Sequence, residues 1–197
     1  MTARRWVGGA VLLWLLPLVG CVEEGPRTQI SPSATTSPVT SEPPAGEEEP
    51  PTGEELASEE ATAVFEEMLR VTDAASRDPG MRDWEPEIRR YAADPAAFLA
   101  VMSVRDLGTL GLRQEGNSKV DVEVAAVDLE APEGPTVELT GCYDSQSTQV
   151  VNVETGQVVP PGTPPRYVWD ITVIKYVAEP GQPWLVSTLE PMADQPC

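Results

Sequence analysis

The sequence contains no histidine, and only 13 of its 197 residues are lysine or arginine, against 32 aspartates and glutamates. Without histidine the chain lacks the commonest general base, the usual catalytic triads and most zinc sites. A formal net charge of −19 repels phosphate backbones, so we expect no nucleic-acid partner. The same charge repels anionic lipid surfaces, so any membrane attachment must be hydrophobic or covalent.

Motifs for phosphate, metal and nucleophile chemistry are also missing. The sequence has no glycine-rich phosphate loop and no Gly-x-Ser-x-Gly element. The acidic run Glu47–Glu49 lacks the ligand spacing of a calcium loop. We therefore expect neither a metal nor a cofactor.

The apolar segment near the start is too short to be a typical membrane span. It reads "WVGGAVLLWLLPLV" after Arg4 and Arg5, short of the roughly 20 residues that a spanning helix needs. A positive start followed by a short apolar core predicts a secretory signal over residues 1–20.

This signal ends in "LVGC" at residues 18–21, which resembles the lipobox of bacterial lipoproteins. The resemblance implies cleavage before Cys21 and acylation of Cys21, for example with palmitate. Two or more acyl chains would hold the chain stably in the lipid bilayer, on the extracytoplasmic face of the cell membrane. The alternatives are an ordinary signal peptide with a chance cysteine, or an uncleaved anchor.

Residues 21–55 form the predicted linker. Proline, serine, threonine and glutamate dominate it, and such a segment buries too little apolar surface to offset the entropy of ordering. We interpret it as a disordered acidic spacer. A sharper alternative is a stalk that contacts a partner or the cell wall.

The other two cysteines, Cys142 and Cys197, form an even pair in what would be an oxidising compartment. We predict a disulfide between them. The alternative is a pair of free thiols.

Residues 56–197 are predicted to form one α+β domain. Thr52 and Glu55 match a capping box ahead of "ELASEEATAVFEEMLRVTDAAS", which carries an apolar stripe at helical spacing. A short second helix is expected around "WEPEIRRYAADP". A third, "PAAFLAVMSVRDL", is expected to be capped by Asp94.

After Gly116 the apolar period changes from 3.6 to 2. "KVDVEVAAVDLE" predicts a strand with Val120, Val122, Val124 and Ala126 on one face. "GPTVELTGCYD" is a second strand, and "TQVVNVETGQVV" predicts a hairpin that turns at Thr155 and Gly156. "PRYVWDITVIKYV" is apolar on both faces, which predicts a central strand, and "QPWLVSTLE" follows it. Helices followed by antiparallel strands predict an α+β fold.

Three helices followed by strands, with "LTGCYD", "VVNVETGQVV" and "GQPWLVS", resemble small secreted proteins of the nuclear transport factor 2 superfamily, also called cystatin-like. The resemblance covers roughly residues 56 to 191. It implies a curved antiparallel sheet wrapped around the N-terminal helices as a cone, with a pocket inside. It implies no single activity, because the superfamily includes isomerases as well as pure binding modules.

Candidate pocket residues are few. Enzymes of this superfamily use an aspartate or histidine base with a tyrosine or a protonated aspartate. Without histidine, the candidate bases are Asp144, beside Tyr143, and Asp170, which could act with Tyr176 if their strand face lines the cone. The alternative places Asp170 on a solvated face, paired with Arg166 or Lys175. Trp84, near the expected mouth, is the candidate ligand contact, although tryptophans more often pack in cores.

These observations predict an extracytoplasmic, membrane-anchored lipoprotein with a non-catalytic binding or scaffolding role. Its partner would be an envelope protein or a small apolar ligand. The alternatives are a carrier of such a ligand, with an open apolar cavity, or a ketosteroid-isomerase-like enzyme, with a carboxylate of raised pKa inside it.

Overall fold

The computed structural model describes residues 50–197, so the predicted signal, Cys21 and most of the predicted linker lie outside the described residues. Within the described residues, three helices come first: α1 (Gly53–Arg77), α2 (Glu85–Ile88) and α3 (Ala96–Thr109). In this described part of the chain, no helix combines the length and the apolarity required to cross a membrane.

Helix α1 begins with the capping box that the sequence predicts. The Glu55 backbone N–H donates to Thr52 Oγ1 over 3.2 Å, and the Thr52 N–H donates to Glu55 Oε2 over 2.7 Å. Two of the unpaired donors at the helix start are thereby satisfied. Helix α1 therefore starts at Gly53, ahead of the predicted domain boundary at residue 56.

The predicted cap of α3 is wrong. Pro95 occupies the N-cap position, and no side chain caps the helix. Asp94 instead forms an ion pair with Arg89 over 3.0 Å. Its carboxylate is therefore engaged by a charged guanidinium group rather than by the backbone N–H groups of α3.

In the same part of the chain, seven strands follow the helices. They are β1 (Leu112–Glu115), β2 (Lys119–Asp128), β3 (Thr136–Asp144), β4 (Gln149–Asn152), β5 (Val158–Val159), β6 (Arg166–Lys175) and β7 (Trp184–Met192). They form a four-stranded sheet of order β2-β3-β6-β7 and a three-stranded sheet of order β1-β4-β5. All pairings between these strands are antiparallel. The predicted α+β class is confirmed.

The long apolar strand is central, as predicted, because β6 pairs with β3 on one side and β7 on the other. The predicted hairpin also forms, with β4 and β5 paired and Gly156 at φ 67° in its turn. Strand β1 was not predicted. Its sequence "LRQE" has no apolar alternation, and only its pairing with β4 defines it.

Strand β2 departs from the predicted alternation. Its pairing with β3 shifts register between Val124 and Ala126. Such a bulge inserts one residue into the strand, so the side chains beyond it point to the opposite face of the sheet from the one that the alternation predicts. Ala126 is opposite Glu138, whereas Val127 is opposite the fully buried Val137. Ala126 therefore does not share a face with Val120 and Val122.

The core lies between α1, α3 and one face of the four-stranded sheet. Along β6, that face carries Ile171 and Val173, which pack with Phe65 and Met68 of α1. Trp169 lies on the same face and packs against this cluster. The alternate residues of β6, including Asp170, therefore lie on the outer face of the sheet.

A disulfide joins Cys142 on β3 to Cys197, the pairing predicted from the sequence. Its sequence separation is 55 residues. It connects the C-terminal segment to the outer face of the sheet, beside Arg166, which donates to Cys142 Sγ over 3.3 Å.

Replacing both cysteines by serine should lower the free energy of unfolding by about 4 kcal/mol, since a loop of this length restricts the unfolded chain strongly. Urea unfolding of the oxidised protein and the double variant would measure the loss. Reducing the unsubstituted protein is the control, because it should reproduce the same loss. Equal stability with and without the bond would contradict the prediction.

Candidate functional site

An apolar cavity of about 320 Å³ lies between α1, α3 and the ends of β6 and β7. We call it the apolar cavity. Its lining consists of Phe65, Met68, Leu69, Thr72, Ala96, Leu99, Ala100, Ser103, Trp169, Leu189 and Pro191. Its size falls within the range of small-molecule sites.

The cavity exists because α3 presents small side chains to it. Ala96, Ala100 and Ser103 lie at spacings of four and three residues, which places them along one side of the helix. Phe65 and Met68 of α1 face them from a buried position. Between these two rows, the short side chains leave space that larger ones would fill.

The lining is nearly devoid of polar groups. None of the lining residues carries a charge, and the polar groups are the hydroxyls of Thr72 and Ser103 and the Trp169 indole. The Thr72 hydroxyl donates to the Met68 carbonyl over 2.8 Å, within α1. The part of an occupant that enters this cavity would have to be uncharged and largely apolar, because an unpaired charge is costly away from water.

The rim of the cavity continues into an exposed apolar patch on α3. Leu99, which lines the cavity, is 56% exposed, and its neighbours Phe98 and Met102 are 53% and 38% exposed. A large exposed side chain is ordinary when single. Three on adjoining positions beside a cavity indicate a contact surface.

Trp169 forms one wall of the cavity and stacks on Tyr143. Their ring centroids are 4.4 Å apart and the rings are 10° from parallel. The indole Nε1 is buried and has no hydrogen-bond acceptor among residues 50–197. A buried donor without an acceptor costs about 1–3 kcal/mol.

Next to this pair lies a buried polar network that the sequence did not reveal. Asp73 of α1 accepts hydrogen bonds from the Ser118 N–H (3.0 Å), the Ser118 hydroxyl (2.8 Å) and Gln114 Nε2 (2.8 Å). These bonds connect α1 to β1 and to the turn that follows it. A buried carboxylate needs such partners, but the only sequence signal was an aspartate beside an apolar stripe.

The structure separates the predicted pocket residues. Asp170 is exposed on the outer face and accepts a hydrogen bond from Thr140 Oγ1 over 3.2 Å. Neither Arg166 nor Lys175 pairs with it, because they pair with Asp144 and Glu60. The hypothesis that the face of Asp170 lines the pocket is therefore wrong, since Trp169, on the opposite face, lines it.

Tyr176 lies beyond the end of β6, and its backbone N–H donates to the Pro183 carbonyl over 2.9 Å. Its position in the β6–β7 connection is distant along the strand from Asp170. The two residues therefore form no acid–base pair at the cavity.

Trp84 is buried in a second cluster with Ile88 and Val101. Its indole N–H donates to the Asp78 carbonyl over 3.0 Å, and the Arg82 guanidinium lies 4.1 Å from the ring centroid. Trp84 does not line the apolar cavity but a smaller cleft of about 130 Å³. It packs as a core residue with a satisfied donor.

In residues 50–197, no group of three or more cysteine, aspartate or glutamate side chains is arranged to hold a metal ion.

No protein-family model matches the chain, and no curated protein matches it. It is similar to the intermembrane space region of the chloroplast protein ARC6, at 14% identity and a TM-score of 0.45, over 68% of this chain and 94% of that chain. It is also similar to the VirB8 protein of Agrobacterium tumefaciens, at 14% identity and a TM-score of 0.30, over 74% and 96%.

Tyr143 provides a pH-dependent test of this region. Burial, reinforced by Tyr167 and Asp73, raises the pKa of Tyr143 to about 12, while the Ser118 side chain acts in the opposite direction. The unfolded chain, with a tyrosine pKa near 10, therefore loses this proton first. Stability should be fully present below about pH 10 and fall as the pH rises toward 12.

We expect this fall to amount to about 1–2 kcal/mol after allowance for solvent screening. Denaturant unfolding between pH 8 and 11.5 would measure it, and Tyr143→Phe should remove this part of the pH dependence. Tyr176→Phe is the matched control. An identical pH dependence in Tyr143→Phe and the unsubstituted protein would contradict the argument.

Proposed function

We propose that this chain is an extracytoplasmic lipoprotein, anchored to the cell membrane through acylated Cys21, with a non-catalytic binding role. Its folded domain binds a small apolar ligand in the apolar cavity. The observation that carries the binding role is an open cavity of about 320 Å³ lined without a charged side chain.

Three features favour binding over catalysis. Among residues 50–197, no carboxylate lines the cavity, and Asp170 lies on the opposite face of the sheet. The hydroxyls and the indole at the wall are weak proton donors and acceptors without a base beside them. A ketosteroid-isomerase-like reaction needs a base within hydrogen-bonding reach of its substrate, and the cavity lining offers none.

The disulfide supports the proposed location. Structural disulfides persist mainly in oxidising compartments such as the extracytoplasmic space, and Cys142 is bonded to Cys197. Pairing these two leaves Cys21 as the thiol for acylation, in agreement with its lipobox-like context.

Docking of an envelope protein is a second candidate role. The exposed patch of Phe98, Leu99 and Met102 favours it, because apolar patches beside a groove are typical of contact surfaces. The two roles separate at Phe98, which belongs to the patch but does not line the cavity.

Leu99→Asp should weaken ligand binding at least tenfold, because it places a charge at the rim of an apolar site. The assay would titrate the mature chain, secreted without its lipid, with an uncharged environment-sensitive dye such as N-phenyl-1-naphthylamine. Ala100→Phe, which fills the cavity, should have the same effect. Leu110→Asp is the matched control, since Leu110 is 65% exposed and lies outside the cavity.

Unchanged dye affinity in both cavity variants would overturn the ligand-binding role. Phe98→Ser should leave dye binding unchanged. If Phe98→Ser instead abolished the cellular phenotype of the protein while the two cavity variants retained it, protein docking would be the function.

Anchoring is tested at Cys21. Cys21→Ser should abolish metabolic labelling with an alkyne analogue of palmitate, because the thiol is the proposed acylation site. The Cys142→Ser, Cys197→Ser double variant is the control and should label normally. Equal labelling of the Cys21 variant and the unsubstituted protein would exclude this residue as the anchor.

A further inference from the structure

A polar depression of about 270 Å³ adjoins the apolar cavity on the other side of α1. We call it the polar cleft. It is lined by Glu66, Leu69, Arg70, Asp73, Arg77 and Asn117, together with Ser118. Leu69 lines both the cavity and the cleft, so the two spaces share one wall.

Side chains of the sheet also lie between the two spaces and contact both. Trp169 lines the apolar cavity and stacks on Tyr143. Tyr143 is close enough to Ser118 and Asp73, which line the cleft, for both to influence its ionisation. The Tyr143 ring therefore lies next to both the Trp169 wall of the cavity and the polar groups of the cleft.

Arg77 is the cation of the cleft that remains available. Asp73 already accepts three hydrogen bonds, and Arg70 pairs with Glu67 over 2.7 Å. The exposed Arg77 guanidinium donates to the Asn117 side-chain carbonyl. Within residues 50–197, no carboxylate lies at ion-pairing distance from it.

Arg77 is related to the cavity through the cleft. Leu69 lines both spaces, and Arg77 lines the cleft. A head group that leaves the cavity past Leu69 therefore enters the space that the Arg77 guanidinium lines. Glu66 lies at the opposite end of the cleft, on an earlier turn of α1.

We propose that the ligand is a single-chain amphiphile, with its uncharged tail in the apolar cavity and an anionic head at Arg77 in the polar cleft. This inference rests on the proposed function and specifies its ligand class. Burying the tail removes apolar surface from water, and the guanidinium group offers directed donors to a carboxylate or phosphate.

The cavity volume also sets the tail length. If a methylene group takes roughly the 30 Å³ share of a water molecule, about ten of them fill the cavity. Each buried methylene should tighten binding about fourfold. This gain should stop once the cavity is full, because further groups would remain in water.

The experiment titrates the mature, lipid-free chain calorimetrically at pH 7.5 with alkanoates of 6 to 16 carbons. Decanol, decyl phosphate and decyltrimethylammonium are compared with decanoate at fixed tail length. We expect decanoate to bind about fivefold tighter than decanol and affinity to level off near ten carbons.

Arg77→Gln should remove the preference for decanoate without weakening decanol binding. Arg90→Gln is the matched control, an exposed arginine outside the cleft.

The possible outcomes distinguish a failure of this inference from a failure of the proposed ligand-binding role on which it rests. Binding of decanol and decanoate with equal affinity, or tighter binding of the ammonium compound, would overturn the anionic head. Identical results for Arg77→Gln and Arg90→Gln would do the same. Affinity that keeps rising to 16 carbons would overturn the tail length. If no compound of any length bound, the ligand-binding role itself would fail. Decyl phosphate binding tighter than decanoate would support the anionic class and identify phosphate-headed lipids as its source.

Discussion

The packing of α1 on one face of the four-stranded sheet is the contact from which the rest of the domain follows. Phe65 is 1% exposed at the centre of this contact, in a chain with only two phenylalanines. Because α1 covers the face that carries Ile171 and Trp169, the alternate face of β6 is left to solvent. The Trp169 indole consequently lines the cavity, and the Asp170 carboxylate lies outside it.

The sequence was sufficient to predict local secondary structure, but it was insufficient to predict which face of the sheet α1 covers. A helical stripe, a capping residue and a strand apolar on both sides are periodic signals, and they predicted α1 and the central position of β6. The face that α1 covers is decided by contacts distant in sequence. Local pattern therefore does not distinguish Asp170 from Trp169 as the pocket residue, and Trp169 holds that position. The bulge before Ala126 and the pairing of β1 likewise depend on partner strands, which no local pattern encodes.

The candidate site was harder to predict because its main property is missing volume. Ala96, Ala100 and Ser103 are ordinary helix residues in sequence, and nothing in their spacing distinguishes a cavity from close packing against bulky neighbours. Sequence reasoning instead favoured conspicuous residues such as Trp84, whose indole already bonds to the Asp78 carbonyl. The weak signal that existed was the run of large apolar residues on the exposed side of α3.

The features around the cavity are costly for a domain that needs only to fold. Leu99 exposes more than half of its surface, and the Trp169 indole has no acceptor within residues 50–197. A larger residue at position 100 would fill the space, and phenylalanine at position 169 would remove the buried donor. Cavities, exposed apolar side chains and buried polar groups without hydrogen-bond partners concentrate at functional sites. These features converge on the apolar cavity, which shares Leu69 with the cleft that Arg77 lines, and the proposed ligand would account for them.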